Sequence, residues 1–403
     1  MGLGSHRVRV LITDGNERSA LAVTRALGLQ QLEVIVGAET RSSLAAASKY
    51  CSRSFVYPSP YSDPDGFVEK LLEIMEQERI AVVFPISDIA MQLIGKEKSR
   101  FERNAVVPAP PNSVFDEVSN KYKLMKLALE LQIPIPETIF VPDGQVRDIA
   151  DQISHYPVVV KPGQSVMKGP NGWSKTSVHY AANAAELLNL YREKNYLRQP
   201  SLIQRRVNGE GQGLFALMNK GEPLVIFAHK RLREKPPSGG VSVLRESIEL
   251  PKPMVDYALR LLQHVGWHGV AMVEFKIDQD RGVPILMEAN GRFWGSLQLA
   301  IDAGLNFPLF LYQMATGQEI NGPANKYLTG IKSRWLLGDV DHLLLRLFRS
   351  KESLHLPQGS PSKWKCILEF LRSFECGTHY EIERFDDPGP FLFEVRRYIM
   401  ELL

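Results

Sequence analysis

Residues 269–296, GVAMVEFKIDQDRGVPILMEANGRFWGS, set two glutamates, an asparagine and an arginine at spacings that suit metal-assisted phosphoryl chemistry. Met272, Glu274 and Lys276 alternate with Ala271, Val273, Phe275 and Ile277, which is the period of a strand. Leu286, Glu288 and Asn290 alternate likewise with Ile285, Met287 and Ala289, and residues 278–282 supply turn chemistry between the two runs. Pairing around that turn brings Glu274 and Glu288 together on one side, with Asn290 and Arg292 just beyond. Two carboxylates among apolar residues repel each other and are costly to bury unpaired. A divalent cation removes that cost, and Glu, Glu and Asn form a hard-oxygen set suited to Mg²⁺ with substrate phosphates. Arg292 is then placed to grip a phosphoryl group bidentately. The competing reading is a solvated hairpin whose carboxylates face water. The phrase NGRFWGS weighs against it, because a surface turn does not need Asn-Gly-Arg followed by two aromatics.

Other residues point at anions. The strand PVVVK ends in Lys161, and the loop at 163–176, GQSVMKGPNGWSKT, has the Gly, Ser and Lys of a backbone that folds over phosphates. It is not a P-loop, since Ser174 precedes Lys175. An ordinary flexible turn is the alternative. Lys121 falls in the first turn of a helix, where a cation opposes the dipole, so an anionic ligand explains it better than helix stability does. A plain surface lysine is the other reading. His229, Lys230, Arg231 and Arg233 end the strand at 224–233, and PPSGGVSVLRES comes next with Ser238, Gly239 and Arg245. That cluster can clamp a carboxylate or phosphate, or it is a basic strand edge that deters aggregation. Arg231, Arg233 and Arg245 suggest that one substrate is anionic. Neither His229 nor His268 is given a proton-transfer role.

The elements that position these residues alternate between strand and helix. Strands are expected at 8–13, 32–37 and 81–85 and helices at 19–27 and 67–76, a parallel sheet with crossovers. The first turn lacks the three glycines of a dinucleotide site. Asp14, Asn16, Ser87 and Asp88 lie beyond strand ends, where ligands of such sheets sit, although turn and cap roles serve each equally well. VPAPPNS marks a boundary. A helix is expected at 119–131, strands at 157–161, 202–213 and 224–233, and helices at 181–194 and 253–265. One helix is expected from 297 to 316, then short amphipathic helices at 342–348 and 391–403, for which packing on the body is the stronger expectation and lying on a membrane the alternative.

Composition excludes several classes. The chain has 403 residues, 44% hydrophobic and 23% charged, ordinary for a globular protein of two to four domains. A net charge of +3 is too small to argue for nucleic acid or an acidic membrane surface, so neither is an expected partner. No apolar run spans a bilayer, and the N-terminus carries neither a signal segment nor, with His6 in place of Ser or Thr, a myristoylation pattern. Cys51, Cys366 and Cys376 form no metal or disulfide pattern, so the expected compartment is the cytoplasm.

Taken together, the order of these pieces resembles the ATP-grasp superfamily over about residues 7–317. Asn120-Lys121 opens a helix, IPIPET matches the family's IPxPxT exit, VVVKP and a Gly-rich loop come next, then LIQRRVNGEG, then VEF with LMEANGRFWGS. The resemblance implies an α/β chain, α+β in its ATP-grasp part: a Rossmann-like domain at 1–111, a small lobe with the phosphate loop at 112–200, a large lobe with the metal site at 201–325 and a helical appendage at 326–403. It implies that Lys121 and Lys161 hold ATP phosphates, that Gln204, Arg205 and the Val207 backbone line the adenine site, and that Glu210 or Gln212 meets the ribose. Glu274, Glu288 and Asn290 would bind Mg²⁺, two ions in all with Mn²⁺ as an alternative, and Arg292 would touch the transferred phosphoryl. The basic residue at the adenine hinge and Asn120 before the first lysine depart from the family pattern. AHKRLRE, PPSGG and LRES resemble the carboxylate–amine ligase branch, whose members join a small-molecule acid to an amine through an acyl phosphate. Carboxylase-like or kinase-like transfer, and an ATP-binding module without turnover, are the alternatives. A homodimer is the default assembly.

Overall fold

The computed structural model describes residues 8–169, 172–320, 326–356, 359–375 and 377–402. Positions 1–7, two residues of the Gly-rich loop (170–171), 321–325, 357–358, Cys376 and Leu403 lie outside the described residues.

Strands β1 (Arg9–Ile12), β2 (Glu33–Ala38), β3 (Arg53–Val56) and β4 (Val82–Phe84) form a parallel sheet in the order β3-β2-β1-β4. The Val- and Ile-rich runs of β1, β2 and β4 are buried on both faces, as parallel strands require. The crossover helices Arg18–Gly28 and Pro64–Glu78 cover that sheet, and helix Asp88–Lys96 comes after β4. Ser87 caps the last of these by accepting from the Ala90 N–H.

After the proline-rich boundary, helix Lys121–Glu130 is capped by Asn120, whose side chain accepts from the Tyr122 and Lys123 N–H groups. Such a cap stabilises a helix by roughly 1 kcal/mol. Next come β5 (Thr138–Val141), β6 (Val158–Pro162), β7 (Val166–Gly169), β8 (Gly172–Lys175), β9 (His179–Ala181) and β10 (Ser201–Arg205). Strands β5-β10-β6-β9 make an antiparallel sheet over a small core of Val141, Val158, Val160, Leu187 and Ile203. The Gly-rich segment read as a loop is instead the hairpin β7–β8. Its apolar Val166 and Met167 are buried, and it rests on the N-terminal sheet domain. The Trp173 N–H donates to the Tyr61 carbonyl at 3.2 Å, and the Lys96 ammonium lies 4.6 Å from the Trp173 ring centroid.

The largest sheet runs β15-β14-β11-β12-β13-β16-β17, from β11 (Gly209–Asn219), β12 (Glu222–Lys235), β13 (Val241–Ser247), β14 (Gly269–Asp278), β15 (Pro284–Asn290), β16 (Lys332–Arg334) and β17 (Thr378–Tyr380). Its pairings are antiparallel except β16–β17. The two-residue period sorts its side chains into separate cores. Leu214, Ala216, Ala271 and Val273 pack with helix Lys252–His264. Phe215, Leu217, Val270 and Met272 pack with Phe307 and Phe310 of helix Phe307–Ala315. The single strand expected at 202–213 is thus two strands in two sheets. The helix expected at 297–316 is two helices, Leu297–Asp302 and Phe307–Ala315, broken at Gly304 with φ 105°. The C-terminal part is not only helical, because β16 and β17 extend the sheet. Its helices are Leu336–Phe348, Lys363–Arg372 and Gly389–Leu402. Among the described residues no helix is long and apolar enough to cross a membrane.

Candidate active site

Glu274 of β14 and Glu288 of β15 are direct cross-strand partners. The pairing carries a bulge: Glu274 pairs with Glu288, but Phe275 pairs with Leu286, so Met287 is the extra residue. The bulge corrects the simple alternation expected for β15. Leu286 enters the core, and Met287 and Glu288 both line the cavity. Asn290 reaches back to both carboxylates, its Nδ2 lying 3.5 Å from Glu274 Oε1 and 3.3 Å from Glu288 Oε1.

These groups open on a cavity of about 410 Å³ between the antiparallel sheet and the largest sheet. Strand register gives it a direction. Near Lys276, whose Nζ donates to the Val207 carbonyl at 3.2 Å, the wall holds Val159, Tyr180, Gln204, Arg205 and Met287. Two residues along β14 come Glu274 and Glu288, with Lys161 from β6. Two further on, Met272 pairs with Asn290, and the wall continues through Arg292, Trp294 and Ser296.

Each carboxylate has its own cation. Lys121, the first residue of its helix, sets Nζ 3.1 Å from Glu288 Oε2 and 3.1 Å from Ser165 Oγ. Burial works against the Lys121 charge, but Glu288 outweighs it and holds its pKa above the ordinary value. Burial would raise Glu288, yet Lys121 and Lys161 keep it well below the usual carboxylate range. Burial pushes Glu274 up to about 7 against the pull of Arg231, and Glu288 adds to the rise. Lys161 has no carboxylate of its own within ion-pair reach among the described residues, and burial pushes it down to about 8.

The remaining expected site residues divide. Arg231 lines the cavity, paired with Glu274 and 3.0 Å from Glu234 Oε1. Ser238 and Gly239 line it too. Asp88 does not, but it grips Arg292 through two hydrogen bonds of 3.0 Å and so carries the N-terminal domain into the site. Glu210 and Gln212 flank Gly211 on β11 and point to the face opposite the cavity-lining glycine, hydrogen-bonded to each other at 2.8 Å. Arg233 and Arg245 also lie away from the cavity. A second bulge, between Arg231 and Arg233, turns Arg233 onto Asp339, and Arg245 is fully buried against Glu381. Asp14 accepts from the Ser87 N–H, and Asn16 accepts from the Leu44 N–H, which are turn roles. Sequence reasoning passed over Arg206, Tyr180, Met287 and Arg18, which line the cavity, and gave Lys276 no role. Lys276 was detectable from its alternation with Glu274; Met287 was hidden by the bulge.

Among the described residues no cluster of three or more His, Cys, Asp and Glu side chains is positioned for a metal. Two carboxylates and a carboxamide are nonetheless the partial oxygen set that Mg²⁺ takes when phosphates complete its shell. Two partly buried carboxylates that meet across the strands, with the Asn290 carboxamide beside both, fit such an ion.

Residues 215–336 match the family model described as ATP-grasp in the biosynthetic pathway with Ter operon. No protein of curated function matches the chain. Among solved structures it is similar to an L-amino acid ligase from Bacillus licheniformis, with 15% identity, TM-score 0.61, and coverage of 80% of this chain and 75% of that one. It is also similar to the biotin carboxylase domain of the Hydrogenobacter thermophilus 2-oxoglutarate carboxylase, in complex with MgADP, ADP and bicarbonate, with 13% identity, TM-score 0.63, and coverage of 80% and 73%. A third is an N5-carboxyaminoimidazole ribonucleotide synthetase in its ADP complex, with 14% identity, TM-score 0.60, and coverage of 81% and 80%. The matched segment at 215–336 is an ATP-grasp segment that contains both glutamates, and the fold of these solved structures is shared along about 80% of the chain.

Proposed function

We propose that the protein is an ATP- and Mg²⁺-dependent ligase that activates a carboxylic acid as an acyl phosphate and joins it to an amine, releasing ADP and phosphate. The observation that carries this reading is the pairing of Glu274 with Glu288, with Asn290 alongside and lysines from two other elements converging on Glu288. Glu274, Glu288 and Asn290 hold Mg²⁺, which neutralises charge on the ATP phosphates. Lys121 and Lys161 bind the same phosphates, and the apolar wall at Val159, Tyr180 and Met287 receives the base. The substrate carboxylate attacks the γ-phosphorus and the bond to ADP breaks. The amine then attacks the acyl carbon, phosphate leaves, and the amine gives up a proton. Arg292 grips the phosphoryl group in transit, oriented by Asp88. The cavity wall supplies positioning and charge, which is what phosphoryl transfer asks of a protein. The similar L-amino acid ligase supports an acid–amine reaction.

The test is ADP release from a panel of acids crossed with amines, amino acids included, at millimolar Mg²⁺. ADP appearing only when an acid and an amine are both present is the expected result. ADP release that depends on bicarbonate, or a stable phosphorylated product without amine, would replace the ligase with the carboxylase-like or kinase-like alternative. ATP binding with no turnover on any pair would leave a nucleotide-binding module.

A further inference from the structure

Helix Lys363–Arg372, WKCILEFL between its basic ends, is divided lengthwise into three sectors. Cys366, Phe370 and Ser373, spaced at i, i+4 and i+7, face the body of the protein. Cys366 and Ser373 are buried, and the Arg334 guanidinium lies 4.3 Å from the Phe370 ring centroid. Trp364, Leu368 and Leu371 occupy the same spacing two residues earlier and face outward, exposed at 77%, 53% and 57%. Lys365, Glu369 and Arg372 form the third sector along the edge of that stripe. A helix apolar on two faces belongs between two covers, and the described residues supply only one.

The stripe continues beyond the helix. The Lys363 ammonium donates to the Leu347 carbonyl at 2.6 Å, which ties the start of this helix to the residue before Phe348, itself exposed at 80%. The rim is cationic: Lys363, Lys365 and Arg372, with Arg349 and Lys351 after Phe348, are all exposed. Of the acidic groups nearby, Glu375 is paired with Lys332, Glu369 lies 3.9 Å from Lys365, and Glu352 is exposed next to Lys351. Two copies meeting face to face across a two-fold axis would press like-charged rims together. A tryptophan and aliphatic side chains bordered by Lys and Arg instead match an interface that is apolar below and anionic above.

We propose that this C-terminal face docks peripherally on an anionic phospholipid surface, with Trp364, Phe348, Leu368 and Leu371 entering the headgroup boundary and the basic rim meeting lipid phosphates. No membrane-crossing segment is involved, and the proposal does not depend on the ligase reaction. It departs from the sequence-based expectation of no membrane partner and rests on a helix outside the expected ones at 342–348 and 391–403: one face packs on the body, and another remains for lipid.

The test is co-sedimentation of the full chain with phosphatidylcholine vesicles, with and without phosphatidylserine. The chain should pellet with the phosphatidylserine vesicles only, and less so as salt rises. Trp364→Ala, and separately Lys365→Glu with Arg372→Glu, should weaken that binding about tenfold or more while thermal denaturation stays unchanged, since these side chains are exposed. Absence of sedimentation with phosphatidylserine vesicles would overturn the proposal. So would variants that bind as tightly as the unmodified chain. Concentration-dependent self-association abolished by Trp364→Ala would overturn it in favour of a second copy of this chain.

Discussion

Arg231 and Arg233 stand on one strand, a single residue between them, in settings of different kinds. Arg231 lines the large cavity and shares its charge between Glu234 and Glu274. Arg233 belongs to a closed network: it grips Asp339 at 2.7 and 2.6 Å, Arg334 holds the same carboxylate at 2.7 Å, and Ser373 Oγ accepts from Arg233 at 2.8 Å. The chemistry of the side chains is the same, so the enclosure decides. In the closed network the hydrogen bonds to Asp339 come from the buried Arg334 and the partly buried Arg233 and join the C-terminal helices to the sheet. Around the cavity the ion pairs border open space, and the glutamates there change partners if a metal arrives. Dense charge marks a site only where there is room beside it.

Breaking the closed network should have the largest effect. Asp339→Asn leaves the buried Arg334 guanidinium and the partly buried one of Arg233 without their carboxylate and should destabilise the fold by about 3–5 kcal/mol, measured by denaturant unfolding. Turnover per folded molecule should be little changed. Glu288→Gln should do the reverse. It removes a candidate metal ligand and the partner of Lys121, so ADP release should fall roughly 10²–10³-fold with a smaller change in unfolding. Full turnover in that variant would sink the proposed metal site. The two arginines sharpen the contrast. Arg231→Ala should raise KM for the anionic substrate roughly tenfold, whereas Arg233→Ala should lower stability and leave KM where it was.

The pH response separates the regions as well. Lys161, pushed down to about 8 by burial, loses its charge in the free protein as pH rises through that value. ATP affinity should therefore drop about tenfold between pH 7 and pH 9. Lys161→Arg should flatten that profile, as titration of bound and free protein by calorimetry would show. The smallest change is expected from Arg100→Ala. Its ion pair with Glu69 at 2.8 Å is exposed, and its loss should cost less than about 1 kcal/mol.

Much of this architecture is legible in the chain alone. The alternation around Glu274, the Asn120 cap and the strand ending at Lys161 are local patterns, and local patterns are what a sequence displays. The features that escaped were produced by register and by distance. Met287 and Arg233 take their directions from bulges, where one extra residue reverses the facing of its neighbours along the strand. Arg18 meets Glu381 from the far end of the chain, and nothing near either residue announces the pair. The β7–β8 hairpin was hidden by its Gly, Ser and Lys content, because the Val166–Lys175 and Met167–Ser174 pairings depend on support from Tyr61 and Lys96 in another domain.

The grip of Asp88 on Arg292 has a consequence for how such a protein can be cut or recombined. Arg292, just past β15, is aimed by a residue about two hundred positions earlier. Grafting the glutamate-bearing segment into another scaffold would carry Glu274, Glu288 and Arg292 across but leave the aim of Arg292 behind. A chimera that replaces the segment carrying Asp88 must therefore bring a carboxylate to the same spot.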